Sequence, residues 1–451
     1  MLSDVIAALA TPPGRSGIAL IRVSGRAAHD VAAAVLPAFR REPWRTARLS
    51  KAIHAARGEL LDEVLYVAYR APSSYTGEDM VEISTHGGLL VPAEVLGALL
   101  AAGARVAEPG EFTRRALANG KLDLLQAEAV GDLIDATAPA QRQAALGQLD
   151  RGLSGRIGQL RDQILELEAL VCYEIDFPEE DSGPVPPARI EGAIAALRAS
   201  LEDLRGTAAE GERLREGALA VIAGRPNAGK SSLFNALLGN ERAIVTHIPG
   251  TTRDAIEAPV TCKGFPFRLI DTAGLRRSED VVERIGVEVS RRYLDAADVV
   301  VFCAEAERAL TGEEQVFLAE VSAPVLMVRT KADLLKGVSG GARSAEGDVL
   351  VSVETGEGLV ALRERLAEHG FTKLAGRGDV GPLLTRERHR LALERAFQEV
   401  TEFERVRGSG VEVVIAATHL RAAVTALEDL IGVVTTDDLL DRVFATFCVG
   451  K

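Results

Sequence analysis

The chain has 451 residues, of which 47% are hydrophobic and 26% charged, and its formal net charge is −13. This length exceeds one ordinary core, so we expect two or three domains. The acidic balance argues against broad, nonspecific nucleic-acid binding, which needs a basic surface, but leaves a local RNA contact open. No apolar run approaches the roughly 20 residues that cross a bilayer, the start lacks a signal-peptide pattern, and the four cysteines are scattered. We therefore predict a cytoplasmic protein without membrane contact, disulfide framework or structural zinc.

Residues 1–118 mix short strand-like runs with turns. The strand-like runs cover residues 17–23, 64–68 and 80–83. Short runs rich in β-branched and aliphatic residues between turn residues are typical of strands. The mixture favours an α+β domain.

Residues 119–213 change to a helical pattern in which apolar residues return at spacings of four and three. The stripe consists of Leu153, Ile157, Leu160, Ile164, Leu167 and Val171. Residues 214–376 alternate β-branched runs with helical ones, which predicts βαβ units around a parallel sheet. Residues 377–451 are helical again, with a second stripe at Leu420, Val424, Leu427 and Ile431. Neither helical segment looks sufficient to form a domain alone, so we predict one discontinuous helical domain with the α/β domain inserted into it.

A phosphate-binding loop is the most specific motif of the chain. Residues 224–231 read GRPNAGKS, match GxxxxGK[ST], and stand between a strand pattern and a helix pattern. Glycines let the backbone N–H groups turn toward phosphates. Lys230 would bring positive charge to the β- and γ-phosphates, and the Ser231 hydroxyl could ligate Mg²⁺.

Further nucleotide motifs occur at 250–254 (GTTRD), 271–274 (DTAG), 330–333 (TKAD) and 352–354 (SVE). Asp271 would lie near Mg²⁺, the Gly274 N–H could sense the γ-phosphate, and a threonine hydroxyl of GTTRD could complete the Mg²⁺ shell. The Asp333 carboxylate could accept hydrogen bonds from N1–H and the 2-amino group of guanine, which adenine cannot match. The motifs together predict a guanine-nucleotide hydrolase.

Two positions depart from the common GTPase pattern. Thr330 stands where NKxD has an asparagine that ties this loop to the phosphate loop and touches the base, so we expect weaker nucleotide affinity. Leu275 stands where many GTPases carry the glutamine that orients the attacking water. Glu283 is a candidate for that role.

These motifs and several further segments make the chain similar to the MnmE (TrmE) family of tRNA-modifying GTPases. The further segments are residues 10–15 (ATPPGR), 76–79 (TGED), 86–88 (HGG), 109–112 (PGEF), 121–124 (KLDL), 175–178 (IDFP) and 447–451 (FCVGK). The resemblance implies a multidomain protein with an α+β N-terminal folate-binding and dimerisation domain (1–118), a discontinuous all-α helical domain (119–213 and 377–451, ending in the FCVGK tail) and an inserted α/β P-loop GTPase domain of Ras-like fold (214–376).

The resemblance also implies an activity and partners. Family members form homodimers, and they work in a hetero-oligomer with a flavin-dependent partner, MnmG (GidA), through which tRNA is bound. Together they attach an aminomethyl or carboxymethylaminomethyl group to C5 of the wobble uridine (U34). The one-carbon unit comes from a 5-formyl- or methylene-tetrahydrofolate, and GTP hydrolysis is stimulated by K⁺ and by dimerisation of the GTPase domains.

The resemblance assigns roles to individual residues. The nucleotide contacts it implies are Asn227, Ala228, Gly229, Lys230, Ser231, Ser232, Thr246, His247, Ile248, Pro249, Gly250, Thr251, Thr252, Asp271, Thr272, Ala273, Gly274, Thr330, Lys331, Ala332, Asp333, Ser352, Val353 and Glu354. The metal ligands are Ser231 and Thr252 for Mg²⁺, and Asn227, Thr246, Ile248 and Thr251 for K⁺. The folate contacts are Arg22, Glu82, Lys121 and Lys451, and the catalytic candidate is Glu283, which would position water. Cys448 is a second catalytic candidate, as a thiol nucleophile near the folate, and the alternative is that it only packs or anchors the tail.

Two other functions compete with this one. A ribosome-assembly GTPase of the Era or Der kind would need a basic RNA-binding appendage, and the chain offers only the short basic segment 386–390. A folate-binding scaffold with a vestigial GTPase domain is the other alternative. The intact Lys230, Ser231, Asp271 and Asp333 argue against it.

Overall fold

The structure is a computed structural model that describes residues 4–176, 186–239, 257–271, 292–335, 347–376, 380–409, 413–432 and 437–451. It contains two compact units, Met1–Gly131 together with Glu428–Lys451, and Asp132–Leu427. The first unit therefore joins the two ends of the sequence. In the described part of the chain, no helix is both long and apolar enough to cross a membrane.

The first unit contains a six-stranded sheet. Its strands are β1 (Ile6–Leu9), β2 (Gly14–Ser24), β3 (Arg48–Ile53), β4 (Leu60–Tyr69), β5 (Met80–Gly88) and β6 (Arg105–Val106). Their order is β3-β4-β5-β2-β1-β6, and all neighbours are antiparallel except β1 and β6. Three helices follow strands of this sheet, α1 (Ala28–Val35), α2 (Leu90–Ala101) and α3 (Glu111–Ala118). The predicted strands and the α+β class of this region are confirmed.

The pleat of β2 and β5 separates an apolar face from a polar one. Ile21 and Ile83 are opposite each other in the register and pack with residues of α1 and α2 in the core. Arg22 and Glu82 are the next opposite pair, so they project from the other face. The strand period thus places a cationic and an anionic side chain side by side, away from the core helices.

A buried group of charges stabilises the first unit around Arg115. Its side chain is only 1% exposed and donates hydrogen bonds to Glu111 (2.9 Å), Glu78 (3.1 Å) and Asp4 (2.9 Å). Burial alone would raise the pKa of Glu111, but hydrogen bonds from Arg105, the Glu108 amide and Arg115 hold that pKa below its ordinary value. The cluster ties the start of the chain to α3.

The remaining helices fall mainly in the second unit. They are α4 (Leu124–Asp135), α5 (Pro139–Leu149), α6 (Gly152–Asp176), α7 (Pro187–Arg205), α8 (Ala208–Glu216), α9 (Lys230–Gly239), α10 (Gly312–Glu320), α11 (Leu359–Gly370), α12 (Glu387–Gly408), α13 (Val413–Ile431) and α14 (Asp437–Phe444). The last of them, α14, lies in the first unit. The helix α7 packs against both α6 and α12, so helices from before and after the α/β segment form one bundle. The predicted fold class is confirmed, whereas the bounds of the four predicted segments stay a prediction.

The two predicted helical stripes fare differently. All six stripe residues of α6 are buried. In α13, Leu420 and Leu427 are buried, but Val424 and Ile431 are only half-buried. The buried positions next to them are instead Ala423 and Leu430. From Leu420 a helical stripe can continue to position 423 or to position 424. Because Ala423 is small, the sequence did not indicate that position 423 is the one that faces the core.

The second sheet positions the nucleotide motifs. Its strands are β7 (Ala218–Ala223), β8 (Glu257–Cys262), β9 (Phe265–Asp271), β10 (Val299–Glu305), β11 (Val325–Thr330) and β12 (Val349–Leu350). Their order is β12-β11-β10-β7-β9-β8, and only β8 is antiparallel to its neighbour. After β7 the chain adds β8 and β9 on one side of this strand, and then β10, β11 and β12 on the other. Ligands of such sheets bind where the strand order reverses, at the carboxyl end of the first strand.

Replacing the buried Arg115 tests the charged cluster. Arg115→Met should lower the free energy of unfolding of the first unit by about 3–5 kcal/mol, because Glu111 and Glu78 lose the cation that offsets their burial. The single tryptophan, Trp44, has its ring 5.3 Å from that of His29 in the first unit, so urea unfolding followed by its fluorescence reports on this unit.

Arg41→Met is the matched control. Arg41 pairs with Asp30 at the surface, where both side chains are more than half exposed. We expect a change of at most about 0.5 kcal/mol there. Equal unfolding midpoints for both variants would show that the buried cluster does not stabilise the unit.

Candidate functional site

The phosphate loop leaves the carboxyl end of β7 and enters α9 at Lys230. Gly224, Asn227 and Gly229 have positive φ angles of 138°, 65° and 83°. A Cβ atom added to Gly224 would lie 2.3 Å from the carbonyl oxygen of Cys303 in β10. Only glycine fits there, because the loop passes directly over the neighbouring strand.

The Lys230 side chain is buried inside this loop. Its ammonium donates hydrogen bonds to the carbonyls of Gly224 (2.8 Å) and Arg225 (2.7 Å). The positive charge is therefore held at the N-terminus of α9. Backbone N–H groups and the helix dipole favour an anion at such an end.

Ser231 and Asp271 meet beside the loop. The Ser231 hydroxyl donates to Oδ2 of Asp271 over 2.8 Å, since β9 is the direct neighbour of β7. Hydroxyl and carboxylate oxygens suit Mg²⁺, which commonly takes few protein ligands and completes its shell with water and phosphates. The described residues contain no cluster of three or more histidine, cysteine or acidic side chains that could hold a metal alone. The oxygen pair thus fits the predicted ion only together with a phosphate substrate.

The loop at residues 330–333, the base loop, is joined to the phosphate loop by Thr330. Its hydroxyl donates to the carbonyl of Ala228 over 2.8 Å, and the residue is 3% exposed. The link that an asparagine makes in the usual motif is therefore present, made by a threonine. The expected loss of nucleotide affinity stays a prediction.

Asp333 lies three residues further on. Its Oδ1 accepts a hydrogen bond of 2.6 Å from the hydroxyl of the fully buried Ser352, which holds the carboxylate in one orientation. Lys331, with a φ of 58°, forms an ion pair with Glu305 at the end of β10. The strand ends of β10, β11 and β12 thus bring the predicted base residues together.

The other predicted nucleotide residues are less constrained or not described. Asn227, Ser232 and Glu354 are exposed, and Val353 is half-buried. The residues outside the described part of the chain are Thr246, His247, Ile248, Pro249, Gly250, Thr251, Thr252, Thr272, Ala273, Gly274 and Glu283. Their roles stay predictions.

Arg363 and Cys303 were not singled out in the sequence. The buried Arg363 donates to the Leu237 carbonyl over 3.2 Å, and so places a cation at the C-terminal end of α9, where the helix dipole favours it. Burial raises the pKa of the Cys303 thiol to about 12, so this thiol stays protonated beside the phosphate loop. No motif marks either residue, because their positions depend on packing between distant elements.

A second polar site lies in the first unit. Arg22 donates to Oε1 of Glu82 through Nε (3.0 Å) and Nη2 (2.8 Å), and through Nη1 to the carbonyl of Gly450 (3.2 Å). The Tyr75 and Phe112 rings flank the guanidinium, with centroids 5.3 and 5.7 Å from Cζ. Tyr69 donates to the other Glu82 oxygen over 3.1 Å. The three aromatic residues were not predicted, although Phe112 belongs to the PGEF segment.

Lys451 and Lys121 differ in how they relate to this pair. Lys451 directly follows Gly450, whose carbonyl accepts the hydrogen bond from Arg22, so the lysine adjoins the Arg22–Glu82 pair. Burial lowers the pKa of Lys451, and the positive charge of Arg22 lowers it further. The Lys121 ammonium instead donates to the carbonyl of Pro72 over 3.1 Å. Three of the four predicted folate residues therefore form one group.

The FCVGK tail is held against α3 by its backbone. The amide of Phe112 donates to the Lys451 carbonyl over 3.1 Å, and that of Gly110 to the Cys448 carbonyl over 3.4 Å. Gly450 has a φ of 98°, and a Cβ there would lie 2.5 Å from the Leu9 carbonyl oxygen. The tail can approach β1 only because this residue is glycine, while Cys448 remains exposed.

Two family models match the chain. Residues 5–121 match the family described as "GTP-binding protein TrmE N-terminus", and residues 124–448 match "MnmE helical domain". Among solved structures, the G domain of the T. maritima FeoB iron transporter is 32% identical, over 34% of this chain and 98% of that chain, with a TM-score of 0.26. With so low a TM-score this match does not establish the fold, which is given by the strand order described above.

Two curated relatives match along their whole length. The tRNA modification GTPase MnmE of Heliobacterium modesticaldum is 42% identical over 100% of this chain and 100% of its own. The protein of the same name from Moorella thermoacetica is also 42% identical, again over 100% of both chains. The chain belongs to the MnmE family of tRNA modification GTPases.

Proposed function

We propose that this chain hydrolyses GTP and uses that reaction in the C5 modification of the wobble uridine of tRNA. One observation carries the first half of the proposal. A single edge of the second sheet brings together the buried ammonium of Lys230, the Ser231–Asp271 oxygen pair and the Asp333 carboxylate. This edge offers charge for phosphates at one end and acceptors for guanine at the other.

The guanine end depends on Asp333. Its carboxylate accepts hydrogen bonds only, and guanine presents two donors, N1–H and the 2-amino group, on its Watson–Crick edge. Adenine presents an acceptor at N1, which would face the carboxylate unfavourably. Because the hydrogen bond from Ser352 already orients the carboxylate, the side chain loses little conformational freedom when the base binds.

The phosphate end depends on charge held in place. Lys230 and the N–H groups at the start of α9 would bind the β- and γ-phosphates, and Ser231 with Asp271 nearby and Thr252 would hold Mg²⁺. When bound, Mg²⁺ neutralises negative charge on the transferred phosphoryl group. Fixed charges of this kind stabilise the transition state most where they need not reorganise.

K⁺ completes the proposed phosphate site. Asn227 is exposed at the tip of the loop, and its side-chain oxygen, together with Thr246, Ile248 and Thr251, offers the ligands that a hard cation prefers. The ion would supply the positive charge that other GTPases take from an arginine finger. Glu283 would orient the attacking water, since Leu275 has no polar group for that purpose.

The first unit would bind the tetrahydrofolate one-carbon donor. Arg22 and Lys451, with Lys121, suit the anionic glutamyl tail, and Glu82 suits the donors of the pterin ring. The aromatic rings of Tyr75 and Phe112 lie beside Arg22 and offer apolar surface next to these charges. The exposed Cys448 would bring its thiol near the folate from the docked tail.

The modification also needs partners. We propose a homodimer that joins the flavin-dependent MnmG (GidA) in a hetero-oligomer, which binds the tRNA. The net charge of −13 supports a division in which the partner supplies much of the basic surface for RNA.

Exchanging the Asp333 carboxylate for an amide tests guanine recognition. In Asp333→Asn, GTP turnover should fall at least about tenfold, because the amide offers a donor to guanine's donors. Xanthosine triphosphate should then become the better substrate, since it carries a carbonyl in place of the 2-amino group. Phosphate release with each nucleotide is the measurement.

The exposed Glu320 gives the control for the acid-to-amide change. Glu320→Gln should hydrolyse GTP like the unaltered chain. An Asp333→Asn variant that still prefers GTP over xanthosine triphosphate would contradict the role of Asp333.

Removing the Asn227 side chain tests the proposed K⁺ site. The unaltered chain should hydrolyse GTP at least about tenfold faster in K⁺ than in Na⁺. In Asn227→Gly the two rates should become equal, because glycine accepts the positive φ of 65° but brings no ligand oxygen. Equal low rates for the unaltered chain in both salts would remove K⁺ from the proposal.

Wobble-uridine analysis tests the whole function. A strain lacking the gene should accumulate tRNA without the C5 group, as seen by mass spectrometry of nucleosides, and the unaltered chain should restore it. Lys230→Ala should fail to restore it through loss of GTP turnover. Arg22→Met should also fail, but with GTP turnover retained, because Arg22 belongs to the other site.

The exposed Arg26 of the first unit provides the control, since Arg26→Met should restore the modification fully. Unchanged wobble uridine in the deletion strain, accompanied by a defect in ribosomal subunits, would favour the ribosome-assembly alternative instead.

A further inference from the structure

The hydroxyl proton of Thr330 is already used within the protein. Thr330 Oγ1 lies 2.8 Å from the carbonyl oxygen of Ala228 and 3.3 Å from that of Ala304. Both neighbours are acceptors, and a threonine hydroxyl has a single proton to give. Whichever carbonyl takes it, no donor of this side chain remains for a ligand.

The asparagine of the common motif differs in this respect. An asparagine amide carries two N–H donors and one acceptor, so it can bind the phosphate loop and still donate to a base. The threonine keeps the first contact and gives up the second. The base loop thus retains its structural link but loses one donor.

The loss concerns a particular edge of the base. Guanine offers N1–H and the 2-amino group to Asp333 on its Watson–Crick edge. Its acceptors are O6, which adjoins N1 on that edge, and N7, which lies on the five-membered ring. An acceptor needs a donor to be recognised. Among the described residues at this end of the site, the Ser352 hydroxyl donates its single proton to Asp333, and the ion pair with Glu305 holds the Lys331 ammonium at the end of β10.

We infer that this nucleotide site recognises guanine by its Watson–Crick edge and leaves N7 unread. Nucleotides of 7-deazaguanine, in which C–H replaces N7, are therefore ligands equal to the natural ones. The inference rests on the proposed guanine-nucleotide function and names the residue, Thr330, that sets this tolerance. Compared with a site that has asparagine at this position, the base makes one contact fewer, while the link between the base loop and the phosphate loop is kept.

Competition binding with the full chain tests the inference. A fluorescent guanine nucleotide is displaced by GDP, 7-deaza-GDP or inosine diphosphate. For the unaltered chain, GDP and 7-deaza-GDP should bind within about twofold of each other. Inosine diphosphate, which lacks the 2-amino group, should bind about threefold to tenfold more weakly, the loss expected for one hydrogen bond. This third ligand shows that the assay detects such a loss.

The variant Thr330→Asn should acquire the missing preference. It should bind GDP about threefold to tenfold more tightly than 7-deaza-GDP. Thr330→Ser keeps a single proton and should remain indifferent to position 7, so it tests the inference even where the asparagine does not fit the buried site. A fivefold or larger preference for GDP in the unaltered chain would overturn the inference. Failure of all guanine nucleotides to compete would overturn the proposed function itself, which is a distinguishable result.

Discussion

The hydrogen bond from Thr330 to the Ala228 carbonyl joins the two halves of the nucleotide site. The two residues are 102 positions apart in the sequence, one at the end of β11 and one in the loop after β7. Because β10 lies between these strands, the loops meet only over its end, where the missing Cβ of Gly224 leaves space above the Cys303 carbonyl. The distance between Lys230, which would bind the phosphates, and Asp333, which would accept from guanine, is therefore set by contacts among three adjacent strands.

The sequence could predict the features that depend on local pattern. The strand-like run at residues 17–23, the six-residue stripe of α6 and the phosphate loop follow from spacing and residue type, and all occur where expected. The second stripe lies on the helix α13, but its spacing did not indicate that Ala423 is more buried than Val424. The Arg115 cluster could not be predicted, since nothing local distinguishes a buried arginine from an exposed one.

The same limit applies within the sites. Motifs identify Arg22, Glu82 and Lys451 as predicted folate residues, but the contact between Arg22 and the Gly450 carbonyl spans 428 positions and depends on the docked tail. The aromatic rings beside Arg22 come from two further segments. The threonine in place of asparagine was visible in the sequence. That it keeps the link to the phosphate loop became clear only from the distance between the two atoms.

The contact of the tail with β1 and α3 has a consequence for synthesis of the chain. The strands of the first unit leave the ribosome first, but the segment that completes the unit is made only after residues 132–427. At roughly 5–20 residues per second, that delay lasts roughly 15 to 60 s. During this interval the Arg22–Glu82 face lacks the Gly450 carbonyl, and the second unit can close while the first waits. The contact of Arg22 with the Gly450 carbonyl is thus formed last, so a chain truncated before the tail can contain a complete nucleotide site and an incomplete first unit.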